Sequence, residues 1–227
     1  TETIPEVRDH GKEVAVTVDY EGNTYTRQEH DGLLYGTYEL KPQAWAVNGT
    51  PQDFAAELLP DDLGRISERL EIIFDRMPAL ANAGIKKVVN GPFTFGPDGN
   101  PLIGPVPGLR NYWSAVGVMA GFCQGGGVGL CMAEWIINGE PGIDVWGMDV
   151  ARFGNFATRD WGTIKSRENY SRRFRLTYPN ETLPEGRRQK TTALYDRFIE
   201  RGAVMGVSFG LEHALWFAGS KDKAEET

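Results

Sequence analysis

The sequence predicts a mixed α/β (α+β) fold, in which small antiparallel or mixed sheets combine with helices. Three observations support this class. Alternating β-prone residues occupy the first forty positions, an amphipathic helical pattern follows Asp62, and an almost wholly apolar helical stretch runs over residues 128–137. Of the 227 residues, 41% are hydrophobic and 24% charged, the balance of a globular domain.

The first strands are indicated by two β-prone runs, residues 14–18 and 25–28, joined through a turn at residues 21–23. Residues 33–39 form a predicted third strand, in which Gly36 marks a close approach to the backbone. Further strands are predicted at residues 85–89, 93–95 and 112–118, with a turn at 97–100.

The helical predictions begin with a short helix at residues 51–58 and a longer one capped by Asp61 or Asp62. The longer helix carries one apolar stripe and should pack on the sheet: Leu63, Ile66, Leu70, Ile73, Phe74 and Met77. The helix over 128–137, closed by Gly139, is apolar nearly all round and is expected in an interior. A last helix is predicted at 191–199.

Composition excludes several functions. A net charge of −7 argues against a nucleic-acid surface, and the short basic run at 187–190 reads as a solvated loop. Cys123 and Cys131 lack metal-ligand spacing and are expected to pack as small hydrophobes in a reducing compartment. No apolar run approaches the ~20 residues of a membrane span. The start at Thr1, without an initiator methionine, suggests a piece of a longer protein.

The segment from Gly117 to Gly129 is the main candidate for chemistry, because it runs from a strand through glycines into a helix. Glycines admit a ligand close to the backbone, and a helix N-terminus favours negative charge. Two ligands fit: a phosphate, or the pyrimidine edge of a flavin. The absence of an in-register G-x-G-x-x-G and of Gly-Lys-Ser/Thr weakens the phosphate option. Glycines acting only as helix–strand spacers stay an open alternative.

A family resemblance covers essentially the whole chain. Its motifs are residues 90–105 (Asn-Gly-Pro-Phe-Thr-Phe-Gly-Pro-Asp-Gly-Asn-Pro-Leu-Ile-Gly-Pro), 108–113, the glycine segment, 133–135, 139–141, 144–146, 149–153, 167–170 and 195–197. In this order they closely resemble the dimethylglycine dehydrogenase and sarcosine dehydrogenase family.

The resemblance implies a domain organisation. Residues 1–150 would be the later half of a D-amino-acid-oxidase-type FAD domain with a substrate-side antiparallel or mixed sheet. Residues 151–205 would form a small central domain, and 206–227 the start of a folate-binding, aminomethyltransferase-like domain. The family's first βαβ unit would precede Thr1, so an upstream FAD-binding half is expected as the missing partner.

The resemblance also assigns candidate site residues. The flavin contacts would come from Gly117, Val118, Met119, Ala120, Gly121, Phe122 and Cys123, with Gly125, Gly126 and Gly127 leading into the helix. Pro101, Leu102 and Ile103 would line the flavin from another side. Tyr35, Thr37 and Tyr38 would face the substrate, with ordinary strand and core positions as the open alternative for these three. No catalytic base is assigned, since His30 beside Asp31-Gly32 reads as a turn residue.

The implied reaction is oxidative demethylation of a small N-methyl amine, dimethylglycine or sarcosine, with hydride passing to FAD and tetrahydrofolate capturing the one-carbon unit. The expected location is the cytoplasm, or the mitochondrial matrix in a eukaryote, with neither nucleic acid nor membrane as partner. The chain alone is expected to be inactive. Two alternatives are a non-catalytic binding or scaffold subunit and a folate-dependent aminomethyltransferase.

Overall fold

The computed structural model describes residues 1–179 and 181–219 and divides into two compact units. The first comprises Thr1–Phe93 with Tyr170–Arg175, and the second comprises Thr94–Asn169 with the chain from Leu176 onward. Residues 220–227, part of the predicted folate-domain segment, lie outside the described residues.

The first unit is built on a three-stranded antiparallel sheet in the order β1-β2-β3. Its strands are β1 (Thr17–Asp19), β2 (Thr24–Glu29) and β3 (Gly32–Thr37). The three predicted strands are confirmed, although the first begins only at Thr17. Gly36 lies opposite Tyr25, and a Cβ at Gly36 would stand 2.3 Å from the Tyr25 phenol oxygen. The predicted close approach at Gly36 is therefore made by the chain's own Tyr25.

Helices cover one face of this sheet. They are α1 (Pro5–Arg8), a 3-10 helix (Leu63–Ile66), α2 (Ser67–Arg76) and α3 (Pro78–Ala81). The Arg65 N–H donates to the Asp62 carboxylate at 3.3 Å, which confirms the predicted cap. Ile73 is 2% exposed in a core that also holds Leu33 and Tyr35 of β3, so the helix packs on the sheet as predicted.

Two sets of predictions in the first unit and its border are wrong. Residues 51–58 form no helix, and residues 85–89 and 93–95 form no strands. The 51–58 segment is mostly exposed and buries no apolar face that would stabilise a short helix. Ile85 and Val89 are 49% and 68% exposed, and a strand requires a pairing partner that these residues lack among the described strands.

The described part of the second unit contains two antiparallel hairpins and three helices. In chain order these are β4 (Leu102–Pro105), β5 (Trp113–Val116), α4 (Gly121–Asn138), α5 (Arg159–Ser171, whose last two residues belong to the first unit), α6 (Tyr195–Glu200), β6 (Ala203–Ser208) and β7 (Leu211–Phe217), with 3-10 helices at Trp146–Met148 and Val150–Arg152. The predicted 112–118 strand is confirmed as β5. The 97–100 turn is confirmed by the Gly99 N–H, which donates to the Gly96 carbonyl. The 191–199 helix is shorter than predicted.

The core of the second unit lies between α4 and the β4–β5 hairpin. Its buried residues are Ile103, Cys131, Met132 and Val145. Cys131 thus packs as predicted, whereas Cys123 is exposed, so the prediction that both cysteines are packed is wrong for Cys123.

Buried ion pairs complete this unit. The Arg152 guanidinium, with a fully buried side chain, binds both Asp98 carboxylate oxygens at 2.8 Å. Arg187 likewise binds the buried Glu212 and donates to the Met205 carbonyl at 2.8 Å. Arg187 is therefore a structural residue, and the prediction of a solvated basic loop is wrong at this position.

Among the residues that the structure describes, no helix has both the length and the apolar character required to cross a bilayer.

Candidate functional site

The candidate site is formed where β4, β5 and the start of α4 meet. β4 pairs with β5 so that Leu102 opposes Val116. After β5 the chain turns at the buried Gly117, whose φ of 68° suits glycine, and enters α4. A Cβ at Gly117 would lie 3.8 Å from Pro101 Cα. The structure therefore brings Gly117 and Pro101–Leu102, distant in sequence, to one place.

The helix begins at Gly121, seven residues earlier than the sequence pattern predicts. Cys123 and Gln124 both donate backbone N–H groups to the Ala120 carbonyl, at 2.9 and 2.8 Å. The non-helical loop is thus limited to residues 117–120. The prediction that Gly125, Gly126 and Gly127 form a loop before the helix is wrong, because these residues lie within its early turns.

The helical glycines face open space. A Cβ added at Gly121, Gly125, Gly126, Gly127 or Gly129 would meet nothing within 4 Å. Gly104 is different, because a Cβ there would stand 2.7 Å from the Trp135 ring. Close packing thus explains Gly104 of β4. It does not explain the glycines of α4, so the spacer alternative finds no support within the described chain.

The N-terminus of α4 is electrostatically suited to negative charge. Ala120 at the N-cap provides no side-chain hydrogen bond, and the first turn of this described helix contains no acidic residue. No carboxylate of the helix's own first turn therefore offsets the positive end of its dipole. Phe122 is fully exposed and Cys123 is exposed, while Met119 and Ala120 are half-buried. The backbone of this turn is accessible to a ligand.

The β4 residues differ in what they offer. Ile103 is 1% exposed in the core beside Cys131 and Met132, and its backbone pairs with Ala115 and bridges to Asp149. Pro101 is also fully buried. Leu102 is half-buried and is the one of these predicted flavin-lining residues whose side chain is partly accessible.

The face of α4 opposite its covered core stripe is apolar and exposed. Phe122 at its start is followed by Leu130, Ile136 and Ile137, which are 62%, 55% and 80% exposed. The prediction that this helix lies wholly in an interior is therefore wrong for the described chain, because the covered stripe consists of Val128, Cys131, Met132 and Trp135.

The predicted substrate-side residues belong to the first unit. The Tyr35 ring packs edge-on to Phe74 at 6.3 Å, and burial raises the Tyr35 pKa. The Thr37 hydroxyl donates to the Asn23 carbonyl at 3.2 Å. Tyr38 belongs to an aromatic cluster with Tyr170 and Phe174. Each of the three residues thus has a packing or hydrogen-bonding role in this unit.

His30 is a turn residue, as predicted. It is exposed, has a φ of 53°, and its imidazole lies 3.6 Å from the Glu29 carboxylate.

A strand, a tight glycine turn and a glycine-rich helix start with an accessible N-terminus are the features expected of a site for an anion or a flavin edge. Comparison with known families narrows this class. The family described as FAD dependent oxidoreductase matches residues 1–135, and the FAD dependent oxidoreductase central domain matches 138–192. The chain belongs to the FAD-dependent oxidoreductase family.

Curated relatives extend the comparison. Over 96% of the present chain, the sequence is 41% identical to mitochondrial dimethylglycine dehydrogenase of Rattus norvegicus. Over 95% of the chain, it is 32% identical to mitochondrial sarcosine dehydrogenase of Homo sapiens. It is also 33% identical, over 88%, to the mitochondrial pyruvate dehydrogenase phosphatase regulatory subunit of Mus musculus. The chain spans 26%, 22% and 23% of these relatives, about a quarter of their lengths.

Proposed function

We propose that this chain is the later part of the FAD domain, with the following central domain, of a flavin-dependent amine dehydrogenase. The whole protein would oxidatively demethylate a small N-methylated glycine, dimethylglycine or sarcosine. The observation that carries the proposal is the open set of glycines at the start of α4, in a chain whose relatives include dehydrogenases of both amines.

Glycine in a helix interior is costly, about 1 kcal/mol relative to alanine. Gly125, Gly126 and Gly127 occupy consecutive helical positions, and nothing in the described chain would collide with an alanine there. The requirement for glycine therefore arises from something that approaches α4 from outside. A flat flavin ring lying against the helix backbone meets that requirement.

The charge at the helix start supports the same ligand. When bound, FAD supplies the redox chemistry by accepting a hydride from the substrate. The backbone N–H groups around Gly121 would stabilise negative charge at the flavin's pyrimidine edge, as oriented hydrogen-bond donors stabilise developing negative charge in enzyme active sites. Gly117 to Cys123 would hold the ring at this end. On the β4 side, Leu102 would contribute its side chain, while Pro101 and Ile103 would position the strand.

The remaining assignments extend the proposal to the whole protein. Tyr35, Thr37 and Tyr38 would lie on the substrate side. Residues 1–150 would end the FAD domain, 151–205 would be the central domain, and 206–227 would begin a domain that binds tetrahydrofolate. An upstream segment would provide the rest of the FAD site and would cover the exposed apolar face of α4. The location would be the mitochondrial matrix, or the cytoplasm in a prokaryote.

The test uses the full-length protein. Purified protein should be yellow, and its flavin absorbance near 450 nm should bleach anaerobically on addition of dimethylglycine or sarcosine but not of glycine. Protein that folds, binds no FAD and shows no bleaching would contradict the proposal.

A second function, a non-catalytic binding subunit, is favoured by one observation, the 33% identity to a phosphatase regulatory subunit. A folded, colourless full-length protein would support that alternative.

A further inference from the structure

Three Asn-Gly dipeptides of this chain lie outside the candidate flavin site. They are Asn48-Gly49, Asn90-Gly91 and Asn138-Gly139. Asparagine before glycine is prone to lose its side-chain amide, because a glycine without a Cβ lets its backbone nitrogen reach that side chain. The residue before each asparagine is a β-branched aliphatic one, Val47, Val89 or Ile137. The preceding residues are therefore matched, and the structure decides which asparagine reacts.

Asn138 is protected by helix α4, of which it is the last residue. The Gly139 N–H donates to the Trp135 carbonyl at 2.9 Å, so the nitrogen that would attack is engaged in a helical hydrogen bond. A helical backbone also tilts each side chain towards the helix N-terminus, away from the nitrogen of the next residue. Reaction at Asn138 therefore requires the last turn of the helix to unwind.

Asn90 is protected by hydrogen bonds to another segment of the first unit. Its side-chain amide donates to the Pro60 carbonyl at 2.6 Å, and its backbone carbonyl accepts the Leu59 N–H at 2.8 Å. The residue is half-buried. Its side chain can turn towards the Gly91 nitrogen only by giving up the bond to Pro60, which raises the free energy of the reactive conformation.

Asn48 lacks both kinds of protection. Asn48 and Gly49 are exposed in the irregular segment between β3 and the 3-10 helix Leu63–Ile66. Within the described chain the Asn48 side chain has no hydrogen-bond partner, and a Cβ at Gly49 would meet nothing within 4 Å. The Gly49 N–H makes a single turn bond, to the Ala46 carbonyl at 2.9 Å. An isolated bond at the surface opens at little cost in free energy.

We propose that Asn48 is a site of spontaneous deamidation in the folded protein. The Gly49 nitrogen attacks the carbonyl carbon of the Asn48 side chain, and the new carbon–nitrogen bond closes a succinimide ring. The side-chain nitrogen leaves as ammonia, with the proton that the Gly49 N–H gives up. Water then adds to either ring carbonyl and opens the ring to aspartate or isoaspartate, without any electron transfer. This chemistry requires neither the flavin nor the amine substrate.

The product changes the surface of this turn. Either form adds one negative charge to a chain whose net charge is −7. Isoaspartate also adds a carbon to the main chain between Ala46 and Gly49, which the turn hydrogen bond spans. Trp45, next to the turn, packs on Phe54 with ring centroids 4.6 Å apart. Isoaspartate should therefore disturb both the turn and this aromatic contact.

The experiment incubates the full-length protein in mildly alkaline buffer and follows three peptides, one for each Asn-Gly dipeptide, by mass spectrometry. The mass change from amide to acid reports deamidation, and enzymatic methylation of isoaspartate reports the succinimide route. We expect Asn48 to react at least about tenfold faster than Asn90 or Asn138 while the protein is folded. In urea the rates at the three sites should converge to within about threefold, because their preceding residues are alike.

Gly49→Ala is the matched variant, because its methyl group hinders attack by the backbone nitrogen. In urea, where the strain of alanine at a φ of 113° plays no part, it should slow the reaction at Asn48 at least about tenfold and leave the other two sites unchanged. An unchanged rate at Asn48 would exclude the succinimide route.

Two further results would overturn the assignment of Asn48. One is a comparable rate at all three sites in the folded protein. The other is an Asn48 that reacts in urea but not in the folded protein. Either result would mean that the folded structure does not select Asn48 for this modification.

Discussion

At Arg152 the chain buries a charged side chain completely and satisfies it with Asp98 and the Asp149 carbonyl. This pair joins the 97–100 turn, which precedes β4, to the 3-10 helix Val150–Arg152, so it holds the start of β4 in place. Burial of a charge is tolerated only with such partners, and removal of one partner leaves the other uncompensated.

We therefore predict that Asp98→Asn lowers the free energy of unfolding by about 3 kcal/mol. Chemical denaturation measures the change, and Asp53→Asn, at an exposed position, is the control. A loss below about 1 kcal/mol, the range of surface pairs, would show that the pair contributes little.

Tyr170 provides a pH prediction. Burial, with the nearby Glu39 carboxylate, raises the pKa of Tyr170 to about 12. Since this value lies above the ordinary pKa of about 10, folding favours the protonated phenol. The resulting stability is complete below pH 10 and is lost as the pH rises towards 12.

Tyr170→Phe should accordingly reduce the loss of stability between pH 9 and 11.5, as measured by urea unfolding at several pH values. Tyr112→Phe, at a residue that is 59% exposed, should leave the pH dependence unchanged. Equal pH slopes for Tyr170→Phe and the unsubstituted chain would rule out the effect.

Among the elements, α4 combines a structural face with a proposed ligand face. The covered stripe through Val128, Cys131 and Met132 forms the core of the second unit. The glycines of its early turns weaken the helix, and no neighbouring group of the described chain packs closely against them. The early turns of α4 are therefore less stable than they would be with alanine at these positions.

Gly125→Ala and Gly126→Ala should therefore each stabilise the 227-residue chain, by up to about 1 kcal/mol in thermal unfolding. Gly162→Ala in α5, also without a neighbour within 4 Å of the added Cβ, should give a similar gain. Gly104→Ala should have the opposite sign, because of its φ of 108° and the Trp135 ring. Destabilisation by the α4 alanines would mean that the glycines serve the chain's own fold.

The elements also show what sequence can predict. The apolar residues from Leu63 to Met77 recur at helical spacing and pack against β3, so this helix is predictable from the sequence. Helix α5 was not, because its buried positions include Lys165 and Glu168, which are satisfied by their mutual ion pair rather than by apolar packing. The β6–β7 turn depends on positive φ at Phe209 and Gly210, and phenylalanine gives little turn signal.

The candidate site was partly predictable in the same sense. The glycine segment identified the region, and Gly117 indeed lies beside Pro101. The sequence misplaces the start of α4, because a run of glycines predicts a loop, whereas residues 121–127 form the exposed early turns of a helix whose buried residues, Cys131 and Met132, lie further along. The burial of Ile103 is also not predictable from the sequence, because it depends on contacts with Cys131 and Met132 of α4.

For the whole molecule, the exposed apolar residues of α4 and the quarter-length match to the relatives agree with a chain that contributes one side of a larger FAD site. The same glycine substitutions should then have opposite effects on the fold and on the function. Alanine would strengthen the helix, while its methyl group would intrude on the ring placed against it.

The most direct measurement is FAD affinity of the full-length protein and its glycine variants, determined by titration of the apoprotein with FAD. Gly125→Ala combined with Gly126→Ala should weaken FAD binding at least tenfold while leaving the fold intact, and Gly162→Ala should leave the affinity unchanged. Unaltered FAD affinity in the double variant would contradict the assignment of the flavin to the start of α4.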